Sequence, residues 1–114
     1  MDIRKIELVH DSVSFIQGDC QTIEKVFSED LLRSAPHPWL FIEDAHVNVY
    51  GVLRYFHPFF EKGDYVVIED SIVKGDVIGR FLSQYLNRYK VDTLYTDFFG
   101  RNSTCSPDSV FVKI

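Results

Sequence analysis

Cysteine is scarce: Cys20 and Cys105 are the only two, far apart and in no CxxC pair. That excludes a disulfide-dense scaffold and a cysteine-rich zinc site, and both side chains are expected to be reduced thiols. The 6 glycines and 4 prolines are scattered, so no low-complexity linker divides the chain. Neither GxGxxG nor GxxxxGK occurs, which removes the glycine-rich phosphate loops; GxSxG and HExxH are missing as well. No apolar run approaches the roughly 20 residues of a membrane helix. The opening Met1-Asp2-Ile3-Arg4-Lys5 carries charges where a secretory leader needs an apolar stretch, so a cytoplasmic protein is expected. Basic charge is in deficit, 12 Lys+Arg against 17 Asp+Glu for a net of −5. Without a basic stripe, nucleic acid and anionic membranes are not expected partners.

What is present is apolar and aromatic. Of 114 residues, 46% are hydrophobic and 15% aromatic, enough for one folded domain. A chain of this size buries roughly two-thirds of the surface that its unfolded form exposes. Val13, Phe15 and Ile16 predict a strand over Ser12–Gln17. Ile23, Val26, Phe27 and Leu31 predict a helix over Thr22–Arg33, barred from continuing by Pro36 and Pro38. The runs Trp39–Ile42 and Tyr65–Ile68 are apolar throughout, as in a parallel sheet covered on both faces. Val49, Val52, Leu53 and Phe56 mark a helix between them. A further helix starts near Asp76, its stripe running from Val77 to Tyr89. Asp92–Phe98 and Ser109–Ile114 predict a closing antiparallel hairpin. The pattern β-α-β-α-β-α-β-β reads as an α/β sheet, mostly parallel with an antiparallel C-terminal tail.

The phrase Ile-Glu-Asp occurs twice, at 42–44 and 68–70, each time where a buried-looking strand ends. Open α/β sheets bind ligands outside the carboxyl ends of their strands. Adjacent strands would therefore gather Glu43, Asp44, Glu69 and Asp70 at one edge. Four carboxylates repel unless a counter-ion, proton or solvent intervenes, and an all-oxygen site suits Mg²⁺, Ca²⁺ or Mn²⁺. The plainer reading is that these acids cap helices or face solvent. His46 follows the first pair by two residues, and a lone histidine is more often structural than catalytic. His10, His37 and His57 support no assignment. Gly18-Asp19 makes a turn and helix cap, or sets Asp19 to accept from the amino group of a base such as adenine.

The blocks FIQGDC at 15–20, HPWLFIEDAHVN at 37–48 and GDYVVIED at 63–70 resemble the cephalosporin hydroxylase family. Its members are similar to class I S-adenosylmethionine-dependent O-methyltransferases and include rhamnosyl O-methyltransferase-like proteins. The resemblance runs from about Asp2 to the C-terminus. It implies a three-layer Rossmann-like sheet of strand order 3-2-1-4-5-7-6. It also implies S-adenosylmethionine and Mg²⁺ or another divalent cation as cofactors, with a small-molecule or sugar hydroxyl as substrate. By position, Asp2, Gly18, Asp19 and Cys20 would face the donor, Glu43, Asp44, Glu69 and Asp70 the metal, and His46 would be catalytic. The first metal position is Glu43 where the family has Asp. The glycine-rich strand-loop that grips the donor has no counterpart, so the chain resembles the C-terminal half of such an enzyme. The strand-4 edge then lacks its neighbour, which makes a homodimer the expected assembly. A non-enzymatic α/β interaction module is the alternative. A receiver-like Mg²⁺ domain, with Lys74 as its pocket lysine, is a third reading.

Overall fold

The structure, a computed structural model, describes residues 11–94 and 109–114. Four short helices, α1 (Ile23–Val26), α2 (Glu29–Ser34), α3 (Val49–Phe56) and α4 (Gly75–Gln84), accompany four strands. The strands are β1 (Leu40–Glu43), β2 (Tyr65–Ile68), β3 (Tyr89–Val91) and β4 (Val110–Lys113). They lie in the order β1-β2-β4-β3. β1 and β2 are parallel, with Leu40 opposite Tyr65 and Glu43 opposite Ile68. β4 enters between β2 and β3 and runs antiparallel to both. The sheet is therefore mixed: β1, β2 and β3 point one way, yet two of the three pairings are antiparallel. The expected tail strand sits inside the sheet, where both of its edges are hydrogen-bonded.

Register decides which side chains share a face. Phe41, Val66 and Phe111 align on one side, with Glu43 and Ile68 beyond them. Val66, Ile68 and Phe111 are almost fully buried there. Against them pack Val49, Val52, Leu53 and Phe56 of α3, the stripe expected from sequence, and Phe81 of α4. Leu53 is completely buried, so truncation to Ala should destabilise by about 2–5 kcal/mol. Aromatic edges lock this layer: Phe41 lies 4.8 Å from Phe56 and 5.4 Å from Phe60, centroid to centroid.

The opposite face differs from the three-layer expectation. Leu40 is 66% and Ile42 56% exposed, and Val67 and Val110 line an open groove with Trp39 and Tyr65. All the buried strand side chains lie on the α3–α4 face, so the described residues form two layers. Ser12–Gln17 also departs from expectation. Only Val13 makes a single bridge, and Val13, Phe15 and Ile16 remain about half exposed. An extended segment becomes a strand only by pairing, and this one joins none of the four-stranded sheet.

Helix boundaries moved for local reasons. Thr22–Arg33 breaks in two at Phe27–Ser28, because Ser28 turns extended and caps α2 by accepting from Leu31 N. α4 stops at Gln84, and the chain reverses through Asn87 at φ 61°. Tyr89 thus leaves the helical stripe and opens β3, three residues before the expected strand start. Asp92 instead turns the chain, its Oδ1 accepting from Leu94 N. Residues 95–98 of that expected strand, together with Asp2 and Cys105, lie outside the described residues.

The amino edge is pinned by Asp64, which is fully buried. Its carboxylate accepts from Trp39 N at 2.7 Å and Glu61 N at 2.7 Å, and meets His37 Nδ1 at 2.8 Å. Gly63, at φ +95°, supplies the turn that delivers it, a conformation where a side chain would be strained.

Candidate functional site at the carboxyl edge

The parallel pairing of β1 and β2 continues one step past β2, with Glu69 N donating to Glu43 O at 2.9 Å. The segments that follow the two strands therefore leave the sheet side by side. His46, Asn48 and Asp70 all take left-handed φ values, between 51° and 59°. Asn, Asp and His tolerate this region better than other side chains, and such strain concentrates at functional sites. The resulting bends bring Asp44, His46 and Asp70 together, each offering one ligand atom within 4.8 Å of the others. His46 Nε2 lies 3.3 Å from Asp44 Oδ1 and 3.3 Å from Asp70 Oδ2. The three are at least partly open to solvent, so an ion or substrate can reach them.

Glu43 has a different place. It is buried, and its Oε1 accepts from Ala45 N at 2.9 Å and His46 N at 3.2 Å. Its Oε2 takes a 2.6 Å hydrogen bond from Lys74 Nζ, which is also buried. Lys74 stands at the N-terminus of α4, after the turn Asp70–Lys74 that closes with Val73 N on Asp70 O and Lys74 N on Ser71 O. The Glu43–Lys74 pair thus ties the loop after β1 to the loop after β2, and holds Asp44 and His46 opposite Asp70. The sequence signal for this was a lysine four residues beyond Asp70, which was weighed only for a receiver-like pocket. Glu69 is exposed and stands outside the three-residue group.

Gly18, Asp19 and Cys20 form the turn into a short 3-10 helix, Cys20–Thr22. Asp19 caps that helix, its carboxylate accepting from Gln21 N at 2.8 Å. A Cβ on Gly18 would fall 2.2 Å from Val26, so glycine is required for the turn to lie against α1. Asn48 Nδ2 donates to Cys20 O at 2.8 Å, which fastens this turn to the loop carrying His46. The candidate donor turn and the candidate metal loop are therefore directly connected.

A donor set of two carboxylates and an imidazole at the end of parallel strands defines the α/β class of ligand-binding edge. Two carboxylate oxygens suit Mg²⁺ or Mn²⁺; the lone pair of His46 Nε2 beside them can serve as a third ligand or as a base, not as both at once. Comparison with known structures makes the likeness particular. The chain is similar to CmcI, a cephalosporin hydroxylase and S-adenosylmethionine-dependent O-methyltransferase, and so to the family expected from its sequence blocks. An apo structure of CmcI matches with a TM-score of 0.66 and 26% identity, over 87% of this chain and 42% of that one. A CmcI structure with Mg and SAM gives 0.64 and 28%, over 86% and 42%. One with SAH gives 0.57 and 25%, over 72% and 41%. The chain thus spans about 42% of the length of these proteins. No family model and no curated protein matches the sequence.

Proposed function

We propose that this chain carries the metal-binding and proton-accepting half of an S-adenosylmethionine-dependent O-methyltransferase acting on a small-molecule or sugar hydroxyl. The convergence of Asp44, His46 and Asp70 beside the loop of Gly18–Cys20 carries the reading. The likeness to CmcI structures holding Mg-SAM and SAH supports both cofactors. The order β1-β2-β4-β3 coincides with the 4-5-7-6 half of the methyltransferase strand order.

Asp44 and Asp70 would hold the divalent ion, with Glu69 beside Asp70 as a further oxygen donor. Bound there, the ion would lower the pKa of the acceptor hydroxyl and orient it. His46 Nε2 faces both carboxylates and is placed to take the hydroxyl proton as the oxygen attacks the donor methyl. Bound here, S-adenosylmethionine would supply an electrophilic methyl group and depart as the neutral thioether. Asp19 and the main chain of Gly18 and Cys20 would receive the adenine, and Asp2 the ribose. The sequence holds no GxGxxG for the methionine end, so weak donor binding by these 114 residues alone is expected.

Mn²⁺ titration followed by water-proton relaxation tests the site. The wild type should show saturable enhancement, and Asp44→Asn and Asp70→Asn should abolish it. Identical responses in all three would overturn the reading.

Among the described residues β1 has an exposed face and no strand on its outer edge, which favours a second reading, an interaction module whose partner is a second copy of this chain. Leu40 and Ile42 are the exposed apolar side chains there, and edge-to-edge pairing of β1 about a two-fold axis would join two four-stranded sheets.

A further inference from the structure

The edge of the sheet opposite the acidic cluster holds a second cavity, of about 530 Å³. Its floor and walls are His57, Pro58, Phe60, Tyr85, Leu86 and Lys113, with Arg88 at its rim. Local geometry brings these together. The left-handed turn at Asn87 places Arg88 at the mouth, with Arg88 N on Tyr85 O at 3.1 Å. Ile114 N donates to Arg88 O at 3.0 Å, so the end of β4 carries Lys113 to the same rim. His57 stacks on Tyr85 at 3.6 Å, and its Nδ1 is engaged by Tyr89 Oη at 2.6 Å.

The charge balance here is the reverse of the whole chain, whose net is −5. Among the described residues, no carboxylate side chain lies within ion-pair distance of Arg88 or Lys113. Lys113 Nζ donates at 3.3 Å to an oxygen of Ile114, which in the 114-residue chain is a carboxylate oxygen, and it lies 5.6 Å from the Tyr89 ring centroid. Asp64 also acts on Lys113, but its carboxylate is already engaged by His37 and two amides. Burial and the mutual repulsion of Arg88 and Lys113 lower the proton affinity of Lys113, and both cations depress His57. Two cations against the single carboxylate of Ile114 leave an excess of positive charge over an apolar and aromatic wall, which suits an anion with an apolar body.

We infer that this cavity binds a small organic anion, its phosphate or carboxylate on Arg88 and Lys113 and its ring or chain against Tyr85, Leu86 and Phe60. The site is separate from the acidic cluster and stands whether or not the methyltransferase reading holds. Phenyl phosphate is the test probe, titrated into ¹⁵N-labelled chain in 0.15 M salt and followed by amide shifts, with inorganic phosphate as the headgroup-only control. Saturable shifts confined to residues 57–60, 84–89 and 113–114 are expected, with Kd below about 1 mM. Inorganic phosphate should bind about tenfold more weakly, since it lacks the ring. Arg88→Gln and Lys113→Gln should each weaken phenyl phosphate about tenfold while keeping a dispersed spectrum, and Asp70→Asn should leave it unchanged. The His57 ring proton should titrate at higher pH with the probe bound. Linear, unsaturated shifts, shifts spread over the surface, or wild-type affinity in the two variants would overturn the inference.

Discussion

Removing Lys74 separates two roles that Glu43 can play. In Lys74→Met, the Glu43 carboxylate stays buried with only the amides of Ala45 and His46 to satisfy it. Breaking a buried pair from one side costs about 3–5 kcal/mol, and the surviving amide bonds place this case near the lower figure. A loss of about 3 kcal/mol in a chain this size lowers Tm on the order of 10 °C. The double variant Glu43→Gln with Lys74→Met should recover more than half of that. Gln still presents an oxygen to both amides, and no charge remains buried. Urea unfolding by circular dichroism measures all four corners of the cycle. Glu43→Gln alone keeps the amide bonds that shape the loop, so Mn²⁺ affinity should hold to within about threefold if Glu43 positions the ligands. If Lys74→Met and the double variant unfold alike, the pair is not coupled and the argument fails. If Glu43→Gln folds normally yet loses Mn²⁺ entirely, Glu43 is itself a ligand.

Three further outcomes follow from other parts of the molecule. Asp64→Asn should destabilise by about 2–4 kcal/mol, because charge-assisted bonds to His37, Trp39 N and Glu61 N weaken together, and thermal melts at pH 7 would expose a smaller effect. His57 has its pKa lowered by desolvation and then by Lys113 and Arg88, so its folded form resists protonation. The unfolded chain binds the extra proton first; stability is therefore full above about pH 6.5 and falls as acid carries the pH below it. In His57→Gln that part of the slope should disappear, which melts at pH 7.5 and 5.5 compare directly. If β1 pairs with a second copy, Ile42→Lys should shift the chain to monomer by light scattering, since a lysine there opposes edge pairing; a monomeric wild type at tens of micromolar rules the dimer out.

The candidate site was partly legible because strand ends announce themselves. Ile-Glu-Asp twice over, each after an uninterrupted apolar run, located the carboxyl edge and named Asp44 and Asp70. Sequence spacing could not assign different tasks to neighbours such as Glu43 and Asp44. Successive residues on a strand point to opposite faces, so Glu43 turns under the helices to meet Lys74 while Asp44 passes into the loop. The sequence set His46 above His57 by its place two residues after an acidic pair, but spacing could not show that its Nε2 lies 3.3 Å from both Asp44 and Asp70.

By itself the sequence determined the α/β class, the buried stripe of α3, both parallel strands of the acidic edge and the final strand, but not the strand that pairs with it. Those follow from periodicity and from side chains that must leave water, which are local properties of the chain. The place of β4 between β2 and β3 agrees with the order 4-5-7-6 that the resemblance implies; only the tertiary structure decided that Tyr89 belongs to a strand and that, among the described residues, Ser12–Gln17 joins none of the sheet. It alone decided that one sheet face stays open, and that Glu43 faces Lys74. Each of these depends on which distant segment supplies a hydrogen-bonding edge or an opposite charge. Residues far apart in the chain fix that choice jointly, through the free energy of bringing them together.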